Sequence, residues 1–199
     1  MAKQKLKVKK SRTISFSKLT APFRNTNNQK VFAGILILIA LYLLIAFISF
    51  FFDWKADDSI VSGKNLGEII TDKNINNTIG GFGAYIANLC IKLWFGITAF
   101  FIPSIVLIVG LRILGLKIFR IGSLIFNSIL GMMIIPVFIR HFMGGVITAG
   151  GIGIFTEDLL NSAIGNLGTT LLLIAIVSMY IIIAFDINAE KIMYYFNKL

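Results

Sequence analysis

The chain is short of charge. Only 14% of its 199 residues are Asp, Glu, Lys or Arg, where a soluble domain carries roughly a quarter. Cysteine is limited to Cys90, so no intrachain disulfide forms and the redox compartment is not legible. Histidine is limited to His141, and one thiol with one imidazole cannot build a metal site of ordinary ligand spacing. The first thirty residues contain no acid, and no carboxylate lies deep in an apolar run, which argues against an ion-coupled transporter. No glycine loop ends in Gly-Lys-Ser or Gly-Lys-Thr, so the phosphate cradle of a P-loop is missing.

What is present is apolar: 57% of the residues are hydrophobic, 18 are Phe, and the mean hydropathy is +0.86. Four stretches, 31–52, 93–111, 121–139 and 167–185, approach the roughly 20 apolar residues that a helix needs to cross a bilayer. In lipid each must satisfy its own backbone hydrogen bonds, so the fold class is all-α integral membrane with four transmembrane helices. Pro103 and Pro136 fall inside the second and third spans and are expected to bend them. The first apolar run exceeds the usual signal-peptide core and no cleavage site follows "ISFFFDW", so it reads as an uncleaved anchor.

Charge sets the expected orientation. Lys9, Lys10 and Arg12 belong to a basic tail, 1–30, and the short turn between spans two and three carries Arg112, Lys117 and Arg120. The segments 53–92 and 140–166 are mixed in charge or nearly without it. The positive-inside rule then places both termini and the short turn in the cytoplasm and both longer segments outside. The tail, "AKQKLKVKKSRTISFSKL", reads as a topology signal touching anionic lipid, which is favoured over nonspecific DNA contact through counterion release.

The most conspicuous run is "HFMGGVITAGGIGIFTEDLLNSAIGNLG", with Gly144, Gly145, Gly150, Gly151 and Gly153 close together. It lies on the side away from nucleotides and lacks a phosphate-binding pattern, so the glycines are expected to permit close helix packing and a re-entrant or surface-hugging turn. After it, Thr156 is expected to cap a short amphipathic helix, with Glu157 and Asp158 at its N-terminus and Phe155, Leu159, Leu160 and Ile164 on one face. Gly165 and Gly168 are expected to break that helix before span four.

The first outer segment, "WKADDSIVSGKNLGEIITDKNINNT", reads as polar and mobile. Gly80, Gly81 and Gly83 then precede a short interfacial helix over 84–91, with Lys92 snorkelling to headgroups. His141 reads as a polar cap at headgroup level rather than a proton handler, and Asn127 and Ser128 as hydrogen-bonding groups between helices. No catalytic constellation and no cofactor site is found. The C-terminal stretch 186–199, "DINAEKIMYYFNKL", reads as the start of a cytoplasmic linker to something further.

This arrangement resembles the N-terminal four-helix membrane domain of the FtsK/SpoIIIE family of bacterial DNA translocases, over residues 12–186. The resemblance rests on "LYLLIAFISFFFDWKADDS", on "GGFGAYIANLCIKLWFGITAFFIPSIVLIVGLRIL" and on "GGIGIFTEDLLNSAIGNLGTTLLL". It implies an anchor in the bacterial cytoplasmic (inner) membrane at the division septum, joined by a linker to a hexameric RecA-like motor that uses ATP and Mg to pump DNA. It further implies a homo-oligomer, contacts with other division proteins, and a part in the cell cycle and chromosome partition. ATP and DNA would be handled by that motor, whose Walker motif is not in this sequence. The competing expectation is a self-contained tetraspan channel, transporter subunit or assembly factor, with an intramembrane enzyme more remote; the reading frame after Leu199 separates these.

Overall fold

The structure, a computed structural model, describes residues 26–62, 64–116 and 120–185, with the backbone alone at Ser59. Lys9, Lys10, Arg12 and Lys117, like the whole of 1–25 and 186–199, lie outside the described residues. Among the described residues every regular element is helical. Four helices are long and apolar enough to cross a membrane: Thr26–Asp58, Gly80–Ile113, Ile121–Met143 and Val146–Phe185.

The first helix, α1 (Thr26–Val61), outruns the apolar stretch 31–52 at both ends. Its inward stripe is Ala33, Ala40 and Phe47 at heptad spacing, all fully buried, while Leu38, Ile45 and Ile48 face outward. A helix apolar on every side is what lipid on one face and protein on the other require. The acids after residue 52 do not end the helix, because each of them finds a partner. The Ser49 hydroxyl donates to Asp53 Oδ2 (3.0 Å), and Lys92 pairs with Asp58. Lys92 is therefore drawn to α1 rather than snorkelling to headgroups.

The segment expected to be mobile is instead stapled to α1. Buried Asp57 accepts the backbone N–H groups of Asn76 (2.8 Å) and Asn77 (3.0 Å). Asn77 Nδ2 donates to Ala46 O (3.0 Å), and Thr78 N donates to Ser49 Oγ (2.9 Å). A one-and-a-half-turn helix, α2 (Leu66–Thr71), buries Ile69 against Val61 and Ala84. Its first turn is closed by the Asn65 N–H donating to Glu68 Oε2 (3.3 Å). The polar composition of this stretch suggested a loop. Its asparagines and acids are consumed instead by backbone donors that would otherwise be orphaned at the membrane boundary.

The second crossing begins at α3 (Gly80–Ala87), continues as a π-helical segment (Asn88–Phe95) and a 3-10 segment (Gly96–Phe100), and ends as α4 (Phe101–Ile113). The departure from α-helix lies upstream of Pro103, which sits in the first turn of α4, where a missing N–H leaves no interior gap. Span two is bent at Gly96, not at its proline. Phe47 of α1 meets Phe100 edge-on at 5.7 Å, and Ile91, Ala87 and Ala99 complete that core.

The third crossing, α5 (Ile121–Met143), carries Pro136 inside it and closes on Gly144 in the left-handed region (φ 68°). The last helix, α6 (Val146–Phe185), has non-helical backbone at Gly150 (φ 64°, ψ 177°) and Gly165 (φ 72°, ψ 169°). These kinks cut it into limbs 146–149, 151–164 and 166–185. The third limb, at about 1.5 Å per residue, is long enough for the hydrocarbon core. The middle limb starts at Gly151, so Thr156 is not its cap and Glu157 and Asp158 are not at its N-terminus. Gly165 breaks the helix as expected. Gly168 does not, and the helix runs through it.

Candidate functional site

The elements meet at one end of the bundle, where backbone approaches backbone through glycine. Gly150 packs on the π-helical segment: a Cβ there would lie 2.6 Å from Trp94 O and 2.7 Å from Ile91 O. Gly96 answers it, with Thr148 and Ala149 backbone against its own missing Cβ. Gly151 rests on the Leu93 backbone, and a Cβ on Gly153 would meet Pro136 O at 2.6 Å. One run of three glycines thus seats the middle limb of α6 against both span two and α5. The positive φ at Gly150 and Gly96 bars other residues even where space could be made.

The remaining glycines singled out by sequence fall into two sets. Gly81 faces the backbone of Ile69 and Ile70 in α2, and Gly83 lies beside Asn77 Oδ1, so both seat the stapled segment. Gly145 is crowded only by the nearby Thr148 side chain, and Gly168 only by Ile164, while Gly144 and Gly165 have open space and act through φ alone. Sequence reading missed Gly96, Gly110, against Ile37 and Ala33 O of α1, and Gly131, against the Tyr180 hydroxyl. A lone glycine within an unbroken apolar run, as in "LWFGITAFF", was the available signal.

Beside the seam sits a polar cluster that corrects the reading of His141. Its side chain is 4% exposed rather than an open cap, because two limbs of α6 close over it. Nδ1 lies 3.2 Å from Glu157 Oε1 and Nε2 2.8 Å from Thr170 Oγ1. The Thr170 hydroxyl already donates to Asn166 O (2.9 Å), so Nε2 is the donor in its contact with Thr170. Nδ1, the other ring nitrogen, faces the Glu157 carboxyl. Asn161 Nδ2 also donates to Glu157, and Arg140 Nε stands 3.8 Å from its other oxygen. His141 therefore ties α5 to the limbs on both sides of the Gly165 kink.

Chemically this cluster is closed. Both ring nitrogens are occupied and the ring is out of reach of solvent, so no substrate atom meets it. Its arrangement suits fixing helices, with His141, Glu157 and Thr170 bonded to one another and only Asn161 Oδ1 left buried without a partner among the described residues. Asn127, on α5, bonds across to α6 as expected, Nδ2 donating to Ala184 O (3.3 Å), and Tyr180 donates back to Asn127 O (3.2 Å). Of the residues expected to set topology, Arg112 is exposed in the last turn of α4 and Arg120 is exposed at the N-cap of α5. Among the described residues no group of three or more His, Cys, Asp or Glu side chains is placed to hold a metal ion.

A sequence model of the family described as the 4TM region of DNA translocase FtsK/SpoIIIE matches residues 28–196, which covers all but the first two residues of the membrane-capable helices. No curated protein and no solved structure matches the chain. The chain belongs to the FtsK/SpoIIIE 4TM family.

Proposed function

With that family as premise, we propose that this chain is the membrane anchor and assembly domain of a septal DNA translocase acting in cell division and chromosome segregation. The membership carries the reading. On it, ATP hydrolysis and DNA movement belong to a motor domain outside these residues, and this chain supplies position and local concentration. Copies held in one membrane raise the effective concentration of the motors joined to them, which favours ring assembly without any contact to ATP.

Four crossings bring the two ends of the described bundle, Thr26 and Phe185, to one face. The basic residues Arg112 and Arg120 in the turn, with Lys9, Lys10 and Arg12 in the tail, support that face being cytoplasmic. The glycine seam and the stapled segment then lie on the outer side, where they cap the bundle. The proposed membrane is the bacterial cytoplasmic (inner) membrane, and the proposed partners are further copies and other division proteins.

The test is to express residues 1–199, fluorescently labelled, in cells depleted of the native protein. Septal fluorescence and restored division without restored chromosome segregation are expected. Diffuse membrane fluorescence without rescue, together with ion or solute flux in liposomes, would instead identify a self-contained tetraspan channel or transporter subunit.

A further inference from the structure

At the opposite end of the bundle from the glycine seam, a groove of about 500 Å³ opens between the start of α5 and the end of α6. Its rim carries Arg120 and Ser123, and its wall carries Asn127, Ser128 and Tyr180. Phe101 and Leu124 make the apolar part of the lining. We propose that this groove binds one anionic phospholipid, with its phosphate at Arg120 and its ester region against Ser128.

Charge complementarity supports the rim assignment. Arg120 is exposed, and no carboxylate among the described residues pairs with it. It caps the N-terminus of a 23-residue helix whose first N–H groups are unspent by α-helical bonds and favour an anion. The exposed Ser123 hydroxyl sits one turn further on.

The second observation lies deeper. Ser128 is only 8% exposed and lines the groove, yet its hydroxyl has no hydrogen-bond partner among the described residues. Its hydroxyl is not among the buried unpartnered atoms, so what exposure it keeps is to the groove, where it can donate to an acceptor that enters. Asn127 and Tyr180 are not that acceptor, since they are bonded to Ala184 O and to Asn127 O. Arg120 and Ser128 are about 12 Å apart along the helix axis at about 1.5 Å per residue. With the Arg120 side chain reaching part of that way down to the phosphate, the ester oxygens of a phospholipid come within reach of Ser128, a span that a free anion does not cover. Basic pockets between transmembrane helices recognise headgroups in this way.

The test uses the whole 199-residue chain, delipidated in detergent and titrated with phosphatidylglycerol, phosphatidylcholine or inorganic phosphate. Native mass spectrometry reads the lipid retained. Phosphatidylglycerol is expected to be retained about fivefold more tightly than phosphatidylcholine, the preference one basic residue contributes at the surface. Arg120→Gln is expected to abolish that preference, whereas Arg112→Gln, at the same end but outside the groove, keeps it. Ser128→Ala is expected to weaken retention of both lipids while preserving their ratio. Equal retention of the two lipids by the unaltered chain would overturn the proposal, as would equal loss in both arginine variants. Thermal stabilisation by inorganic phosphate matching that by phosphatidylglycerol would also overturn it, by showing a free-anion site.

Discussion

The two ends of this bundle are built on different principles. At the looped end, two long segments that sequence alone presents as polar or glycine-rich are pulled into the packing by Gly150 on Trp94 O, by Asp57 on the Asn76 and Asn77 amides, and by His141 between Glu157 and Thr170. At the turn end the helices are joined by less: Gly122 has nothing within 4 Å of a would-be Cβ, and Ser128 keeps an unanswered hydroxyl beside an open groove. One end is closed by backbone packed on backbone through glycine, while the other is joined by side-chain bonds such as Asn127 to Ala184 O and Tyr180 to Asn127 O. Helices in lipid lack a hydrophobic drive toward one another, so close backbone contact and matched polar groups decide where the structure is firm.

The largest expected effect breaks the contrast directly. Gly150→Leu sets a side chain into the Ile91–Trp94 backbone at a positive φ, and should cost about 2–6 kcal/mol, combining overpacking and backbone strain. Gly122→Leu, at the turn end, should change stability by less than about 1 kcal/mol. Thermal unfolding of the two purified variants in the same detergent compares them; similar losses would mean that the ends do not differ.

A smaller effect is expected from the polar cluster. Glu157→Ala leaves His141 Nδ1 and Asn161 Nδ2 without their partner, for a loss of about 1–3 kcal/mol. His141→Ala should be less harmful on the Glu157→Ala background than alone. A double-mutant cycle reads that coupling, and strict additivity would show that the two side chains do not hold each other.

The smallest expected effect separates the stapled part of the looped end from its surface. The Lys64 ammonium beside Asp72 holds its carboxyl below the usual carboxylate range, aided by the Asn74 backbone N–H. A depressed carboxyl stabilises the fold above its unfolded pKa and loses that contribution as pH falls through the folded value, here below about pH 4. The pair is exposed, so Asp72→Asn should barely move the midpoint of unfolding at pH 7. A large shift there would place Asp72 among the structural staples.

Much of this fold could be read from periodicity and charge, and the reasons for the failures are specific. Apolar runs near 20 residues identify all four crossings, since lipid leaves the backbone few alternatives. The ends of the crossings were less legible, because Asp53, Asp57 and Asp58 look like a helix stop until Ser49, the Asn76–Asn77 amides and Lys92 are seen to engage them. Thr156 and Glu157 together mimic a helix start, but the kink at Gly150 had already begun that limb. His141 looked like a surface cap because its partners lie 16 and 29 residues away, beyond any local pattern. The groove at Arg120 was invisible for the same reason: it joins residues of three helices.

The most direct test of the stapled outer end is hydrogen–deuterium exchange of the 199-residue chain in lipid nanodiscs, read at the amides of Asn76, Asn77 and Thr78. These groups lie in a polar stretch outside the membrane-capable helices, so their bonds to Asp57 and Ser49, with the burial of Asn77 that those bonds hold, protect them. Exchange slower by at least about tenfold than in an open loop is expected, with Asp57→Asn speeding the first two. Exchange at open-loop rates in the unaltered chain would contradict it, leaving this segment the mobile tether that its composition suggests.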